Sequence, residues 1–180
     1  MKRTIIWFAL LVLFALPSTA SAQWEHSKQI RSAGTFGIGV GSGTLAYGLS
    51  MKYFTTSNFA IQGNIGYWRG RYFGRCGNND YCRYYGGNSF ALSADAIFEQ
   101  ATIAGNNDIE LAWNFGIGGG LGLSEYEDAI GAAVAGILGL EVLINVIPID
   151  LVLEWRPNAL VIPGFGLDLV NFTGHLRFYF

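Results

Sequence analysis

The chain has 180 residues, a length suited to one domain. Only 13% of it is charged, against 51% hydrophobic and 15% aromatic, whereas a soluble domain carries about 25% charged residues. The formal charge is −2, and no basic surface for nucleic acid is indicated. With two cysteines and two histidines there is no Cys/His cluster for a metal, and no residue pattern asks for a cofactor.

The N-terminus reads as an export signal. Lys2 and Arg3 precede an apolar run from Ile5 to Leu16, Pro17-Ser18 break it, and Ala20-Ser21-Ala22 fits small-residue cleavage. An uncleaved anchor is the alternative, but the apolar run is short for one. Cleavage after Ala22 removes Lys2 and Arg3, leaving 9 cations against 13 acids, about −4. The expected organisation is 1–22 signal peptide, 23–32 N-terminal periplasmic segment and 33–180 barrel.

The rest of the chain divides into eight segments of alternating character, as a transmembrane barrel requires. The first, Ala33 to Gly41, puts Phe36, Ile38 and Val40 on one face, with glycines between them. The second, Leu45 to Phe54, sets Leu45, Tyr47, Leu49, Met51 and Tyr53 outward, with Ser50 and Lys52 inward. The third, Phe59 to Phe73, opposes Ile61, Ile65 and Tyr67 to Gln62 and Asn64.

Between the third and fourth segments lie Cys76 and Cys82, separated by Gly77-Asn78-Asn79-Asp80-Tyr81, a turn-forming sequence. Export places them in an oxidising compartment, so a disulfide stiffening this loop is expected. The region from Arg69 to Asn88 holds Arg69, Arg71, Arg75 and Arg83 against the single acid Asp80. Tyr72, Phe73, Tyr81, Tyr84 and Tyr85 are interleaved. Arginine and tyrosine are enriched at binding hot spots, so Arg69, Arg71, Arg75, Tyr81, Arg83, Tyr84 and Tyr85 form a candidate contact surface, with a solvated loop as the plain alternative. The arginines also suit lipopolysaccharide phosphates.

The fourth segment, Asn88 to Gln100, is the clearest: Phe90, Leu92, Ala94, Ala96 and Phe98 against Ser93, Asp95 and Glu99. The fifth, Asp108 to Gly120, sets Ile109, Leu111, Trp113, Phe115 and Ile117 against Glu110, Ala112, Asn114 and glycines. The sixth lies within Ala129 to Ile147, which is long and apolar enough for a membrane helix. A charge in a helical span is costly. In a strand from Ala132, Glu141 falls on the face opposite the large residues, with Ile137 as the one exception. The seventh, Ile149 to Arg156, puts Leu151, Leu153 and Trp155 out, and Asp150, Val152, Glu154 and Arg156 in. The eighth ends the chain with Phe172, Leu176, Phe178 and Phe180 out, and Thr173, His175, Arg177 and Tyr179 in. Leu167 and Leu169 have the wrong parity for it, which places a bulge near Val170 and Asn171.

Pro148, Pro157 and Pro163 fall at segment ends, where a missing ladder donor is tolerated. Periplasmic turns are expected at Thr55–Asn58, Ala101–Asn107 and Asn145–Pro148. Aromatic girdles are expected from Tyr53, Phe54, Phe98, Phe178 and Phe180 at one rim, and from Tyr67, Trp68, Tyr72 and Trp155 at the other. The fold class is therefore all-β, an eight-stranded antiparallel up-and-down transmembrane barrel.

The last six residues, His175-Leu176-Arg177-Phe178-Tyr179-Phe180, alternate and end in an aromatic. They look like the terminal assembly signal of bacterial outer-membrane proteins, and the chain resembles the small OmpA/OmpX-type barrels of the bacterial cell outer membrane. That resemblance implies outer-membrane lipid, lipopolysaccharide and the outer-membrane assembly machinery as partners, with Leu176, Phe178 and Phe180 as the assembly signal.

A barrel of eight strands is filled by its own side chains. Lys52, Asp95, Glu99, Glu110, Glu141, Glu154, Arg156, His175 and Arg177 are expected to pair as a lumen network, since buried charges need partners. No catalytic residues are assigned. A lipid-modifying enzyme needs a base near the outer leaflet. His26 precedes the first segment and His175 lies five residues from the C-terminus, so both belong to the periplasmic half. The glycine runs Gly37–Gly41 and Gly116–Gly120 do not fit G-x-G-x-x-G and more simply give room in curved strands. The leading expectation is a non-enzymatic barrel, structural or presenting a loop to an unidentified surface ligand. A lipid-A-modifying enzyme and a small-molecule conduit are the alternatives.

Overall fold

A sheet whose strands alternate in polarity hides one face and shows the other, and closing it on itself leaves no edge to satisfy. A computed structural model describes residues 30–68, 71–76, 80–85, 90–106, 108–123, 130–144, 146–162 and 164–180, with 71–76 and 80–85 described by backbone alone. The strands are β1 (Phe36–Ser42), β2 (Ala46–Thr56), β3 (Phe59–Trp68), β4 (Arg71–Cys76), β5 (Asp80–Tyr85), β6 (Phe90–Gly105), β7 (Ile109–Leu123), β8 (Ile130–Ile144), β9 (Ile149–Trp155), β10 (Asn158–Ile162), β11 (Gly166–Asp168) and β12 (Phe172–Tyr179). No helix occurs among the described residues.

Eight strands close an antiparallel barrel in the order β1-β2-β3-β6-β7-β8-β9-β12 and back to β1. The closing ladder runs from Gly37↔Tyr179 to Gly41↔His175. β10 continues β9 along β8, and β11 pairs with β10. β4 and β5 form a separate hairpin between β3 and β6. Phe180 and the β2–β3 turn lie at one end, here the terminal end. The β1–β2 turn and the β4–β5 hairpin lie at the other, the loop end.

The eight-segment expectation holds, with local corrections. The third expected segment ends at Trp68, and Arg71 already belongs to the hairpin. β6 runs on to Gly105, through most of the turn expected at 101–107, with register shifts between Glu99 and Ala104. The seventh strand breaks after Trp155: Pro157 has no N–H, so Gly136 N–H donates to Pro157 O at 3.0 Å and Arg156 N–H to Asn171 O at 2.7 Å. The eighth breaks between β11 and β12, where the parity change placed a bulge.

Three expected outward residues turn inward. Leu45 lies in the β1–β2 turn at φ 69° and is 3% exposed. Phe54 and Trp68 are buried and leave the expected girdles. The exposed members are Tyr53, Phe98, Phe178 and Phe180 at the terminal end, and Tyr67 and Trp155 toward the loop end. Tyr72 lies outside the described side chains.

Glycines on the inner face of β7 make the filling possible. A Cβ on Gly118 would meet Asp95 Oδ1 at 1.9 Å, and one on Gly122 would meet the Trp68 ring at 2.7 Å. On Gly120 it would meet Thr44 O at 2.0 Å, so the β1–β2 turn folds into the lumen and lies against β7 across it. The interior is layered as a result. Ile30, Phe54, Ile97 and Tyr179 form an apolar cluster toward the terminal end, and Leu45, Trp68, Ala91 and Leu160 form one at the loop end.

Candidate functional site: a closed polar lumen

All nine lumen residues expected from the alternation are buried inside the barrel. Ten ionisable groups with fixed or titrating charge sit there besides His175. Four are cations, Arg31, Lys52, Arg156 and Arg177, and six are acids, Asp95, Glu99, Glu110, Glu141, Asp150 and Glu154. Burial of an unpaired ion is costly, which explains why the arrangement is a set of short contacts.

Near the terminal end, Lys52 Nζ lies 2.7 Å from Glu99 Oε1 and 2.8 Å from Glu141 Oε1. Arg31, just before β1, reaches the same two carboxylates at 3.4 and 3.1 Å and donates to Gln100 O at 2.8 Å. Burial opposes charge on Arg31, but Glu141 and Glu99 outweigh it and hold the guanidinium above its usual range. Ile30 and Arg31 thus enter the barrel, one by apolar burial and the other by its salt bridges. Thr102 donates to Glu110 at 3.2 Å.

Arg177 Nη2 lies 2.7 Å from Asp150 Oδ2, and its Nε donates to both Asp150 oxygens at 3.1 and 3.2 Å. Arg177 also donates to Gln62, and Tyr179 donates to Asp150 at 2.6 Å. Toward the loop end, Arg156 contacts Glu154 at 2.6 Å and Asp95 at 2.8 Å, and donates to Thr44 Oγ1 at 3.2 Å. Gln62 joins the layers, donating to Asp95 and Glu154 at 3.2 Å each.

One triplet has the order of a nucleophile, base and orienting acid. Glu154 Oε2 can only accept, so His175 Nε2 donates to it at 3.0 Å and Nδ1 accepts from the Ser50 hydroxyl at 2.9 Å. Three features oppose acyl-transfer chemistry. Ser50 is fully buried. Its backbone sits between β1 and β3, opposite Gly39 and Asn64, so its own strand backbone is engaged in the sheet. Glu154 is also held by Arg156 and by Thr173 at 3.2 Å.

The sequence marked Ser50, Gln62, Asp150 and Tyr179 as inward but gave no pairing for them. Arg31 and Thr44 carried no signal, because neither lies in a strand. Asn114 is 1% exposed and both its amide atoms lack a hydrogen-bond partner in the described residues. The Cys76–Cys82 disulfide and the Arg/Tyr surface fall on side chains outside those described, as does Arg69 altogether. The backbone register places Cys76 opposite Asp80 and Cys82 opposite Gly74, two rungs apart. Among the described residues no cluster of three or more His, Cys, Asp or Glu could hold a metal.

The outer face of the wall is the inverse of the interior. Val134, Leu138 and Leu140 on β8, Leu151 and Leu153 on β9, and Leu176 and Phe178 on β12 are all exposed. No protein-family profile matches the chain, and neither a curated protein nor a solved structure does.

Proposed function

We propose that this chain is an integral outer-membrane β-barrel with a non-enzymatic role, either structural or presenting the β4–β5 hairpin at the cell surface. One observation carries this reading: the wall shows leucine, isoleucine and phenylalanine outward while nine ionic side chains pair inside. In water that arrangement exposes a large apolar surface and has no driving force. In a bilayer the apolar face meets hydrocarbon, and the closed ladder pairs the backbones of neighbouring barrel strands. The export signal at 1–22 and the C-terminal aromatic fit the same destination. Phe180 would be the residue read by the assembly machinery.

The test is fractionation of expressing cells, with gel migration before and after boiling. Recovery in the outer membrane, with a heat-dependent shift of the band, supports the proposal. A protein found in the soluble fraction with identical boiled and unboiled bands refutes it.

The Ser50–His175–Glu154 triplet favours one second reading, a lipid-modifying enzyme that opens to admit substrate. Mass spectrometry of lipid A from cells carrying the wild type or Ser50→Ala separates the two. An unchanged profile supports the non-enzymatic barrel, and a modification lost in Ser50→Ala supports the enzyme. Conduction through a lumen this filled would require displacement of the Thr44 turn and of Ile30 and Arg31.

A further inference from the structure

The wall is not equally tall all round. One rung followed from Phe178 on β12 leads through Ile38, Met51, Gly63, Ala94 and Gly119 to Val134 on β8. Followed the other way, the same rung passes Ile149 and reaches β8 at Ile144, ten residues from Val134. Eight strands with that stagger tilt by about 40° to the barrel axis. Each residue along a strand then rises about 2.5 Å, and each step along the rung from β12 toward β8 climbs about 3 Å toward the loop end.

On that scale the terminal end is level. The rungs put the outward rings of Phe36, Tyr53, Phe59, Phe98, Trp113 and Phe178 within about 5 Å of one height. Aromatic rings at one height mark a membrane interface. The loop end is stepped. On β2 the outward residues stop at Tyr47, about 15 Å above Tyr53, because Ala46, Leu45 and Thr44 are buried. On β7 and β8 every outward residue from Ile109 to Leu123 and from Ile130 to Ile144 is apolar, a wall of about 35 Å. A transmembrane barrel shows an apolar band of about 25 Å. The β7–β8 wall overshoots that height, and the β1–β2 wall falls short of it.

We propose that this barrel thins the bilayer on one side: the loop-end leaflet dips to Tyr47 beside β1 and β2, and stands at full height against β7 and β8. This rests on the membrane reading above. In a flat bilayer, lipid chains beside β2 would pass the rim of the barrel, where no outward apolar side chain of β1 or β2 meets them. Thinning a fluid bilayer costs little per ångström, so the leaflet follows the wall.

The experiment uses the full-length protein with Cys76 and Cys82 replaced by serine, in dioleoylphosphatidylcholine vesicles. A nitroxide is placed on a cysteine at position 47, 53, 134 or 138, each variant being checked for the heat-shifted band. Collisions are measured with oxygen and with a nickel chelate present on both sides. Val134 stands about 3 Å nearer the loop end than Tyr47, so in a flat bilayer position 134 is the more exposed to water.

The expected result is the reverse. The chelate reaches 47 and 53, while 134 and 138 collide with oxygen and are shielded from it. In didecanoylphosphatidylcholine, whose bilayer is thinner all round, the chelate reaches 134 as well. Equal shielding of 47 and 134 overturns the proposal. So does access at 47 with shielding at 53, which is a tilted barrel in a flat bilayer, and so does access at 47, 53 and 134 alike in the thicker bilayer. Access at 138, midway up β8, refutes the membrane reading first.

Discussion

Arg156 is the side chain on which the polar lumen can be tested most sharply. It is the fixed cation paired with both Glu154, at 2.6 Å, and Asp95, at 2.8 Å, and all three side chains are essentially fully buried. Arg156→Met preserves most of the volume and removes the charge. Asp95 then keeps only the Gln62 amide, and Glu154 keeps Gln62, Thr173 and His175. Breaking a buried pair from one side costs about 3–5 kcal/mol, because an uncompensated ion is left behind. Two carboxylates are stranded here, so the upper end of that range is expected. Urea unfolding of the barrel in lipid, followed by intrinsic fluorescence and gel mobility, measures it. Asp95→Asn/Glu154→Gln added to Arg156→Met should recover most of the loss, since removing all members of an ionic group is often neutral. A single variant within about 1 kcal/mol of wild type, or a triple variant no more stable than the single one, would refute the charge argument and leave only packing.

Further outcomes follow from the same geometry. Gly120→Val should prevent the β1–β2 turn from entering the lumen, because its Cβ would meet Thr44 O at 2.0 Å; loss of the heat-shifted band checks this. Leu140→Arg, on the exposed face of β8, should destabilise the lipid-inserted barrel by about 2–4 kcal/mol if that residue lies near the bilayer midplane, measured by the same urea titration. Deletion of Phe180 should lower the amount reaching the outer membrane, read by fractionation; undiminished levels would contradict its role as an assembly signal.

The architecture was legible because a strand's side chains alternate with period two, and that signal survives in β6 and β9 almost without error. It failed where the chain leaves the ladder. Leu45 was assigned outward by extending the parity of β2 by one turn residue, but its left-handed backbone turns it inward. Phe54 and Trp68 followed their strand parity into the barrel, and only the expectation of a girdle placed them outside. β10 and β11 were invisible as strands, since Pro157 and the parity change at 169–171 read as loop. The lumen residues were legible as a set, for the same reason as the fold. Their pairing was not: the contact between Arg156 and Asp95 joins residues 61 apart in sequence, and closure alone brings them together. Arg31 and Thr44 enter from turns and tails, where no periodicity exists to mark them.

The central claim concerns which face of the wall meets hydrocarbon. It is tested most directly by nitroxide labels placed one at a time at positions 138 to 143 of β8 in lipid bilayers, with Cys76 and Cys82 replaced by serine. The account predicts a period of two: labels at 138, 140 and 142 collide with dissolved oxygen and are shielded from a water-soluble nickel chelate. Labels at 139, 141 and 143 should be shielded from both. A run in which 138, 140 and 142 are reached by the nickel chelate, or in which accessibility follows a period near 3.6, would contradict it.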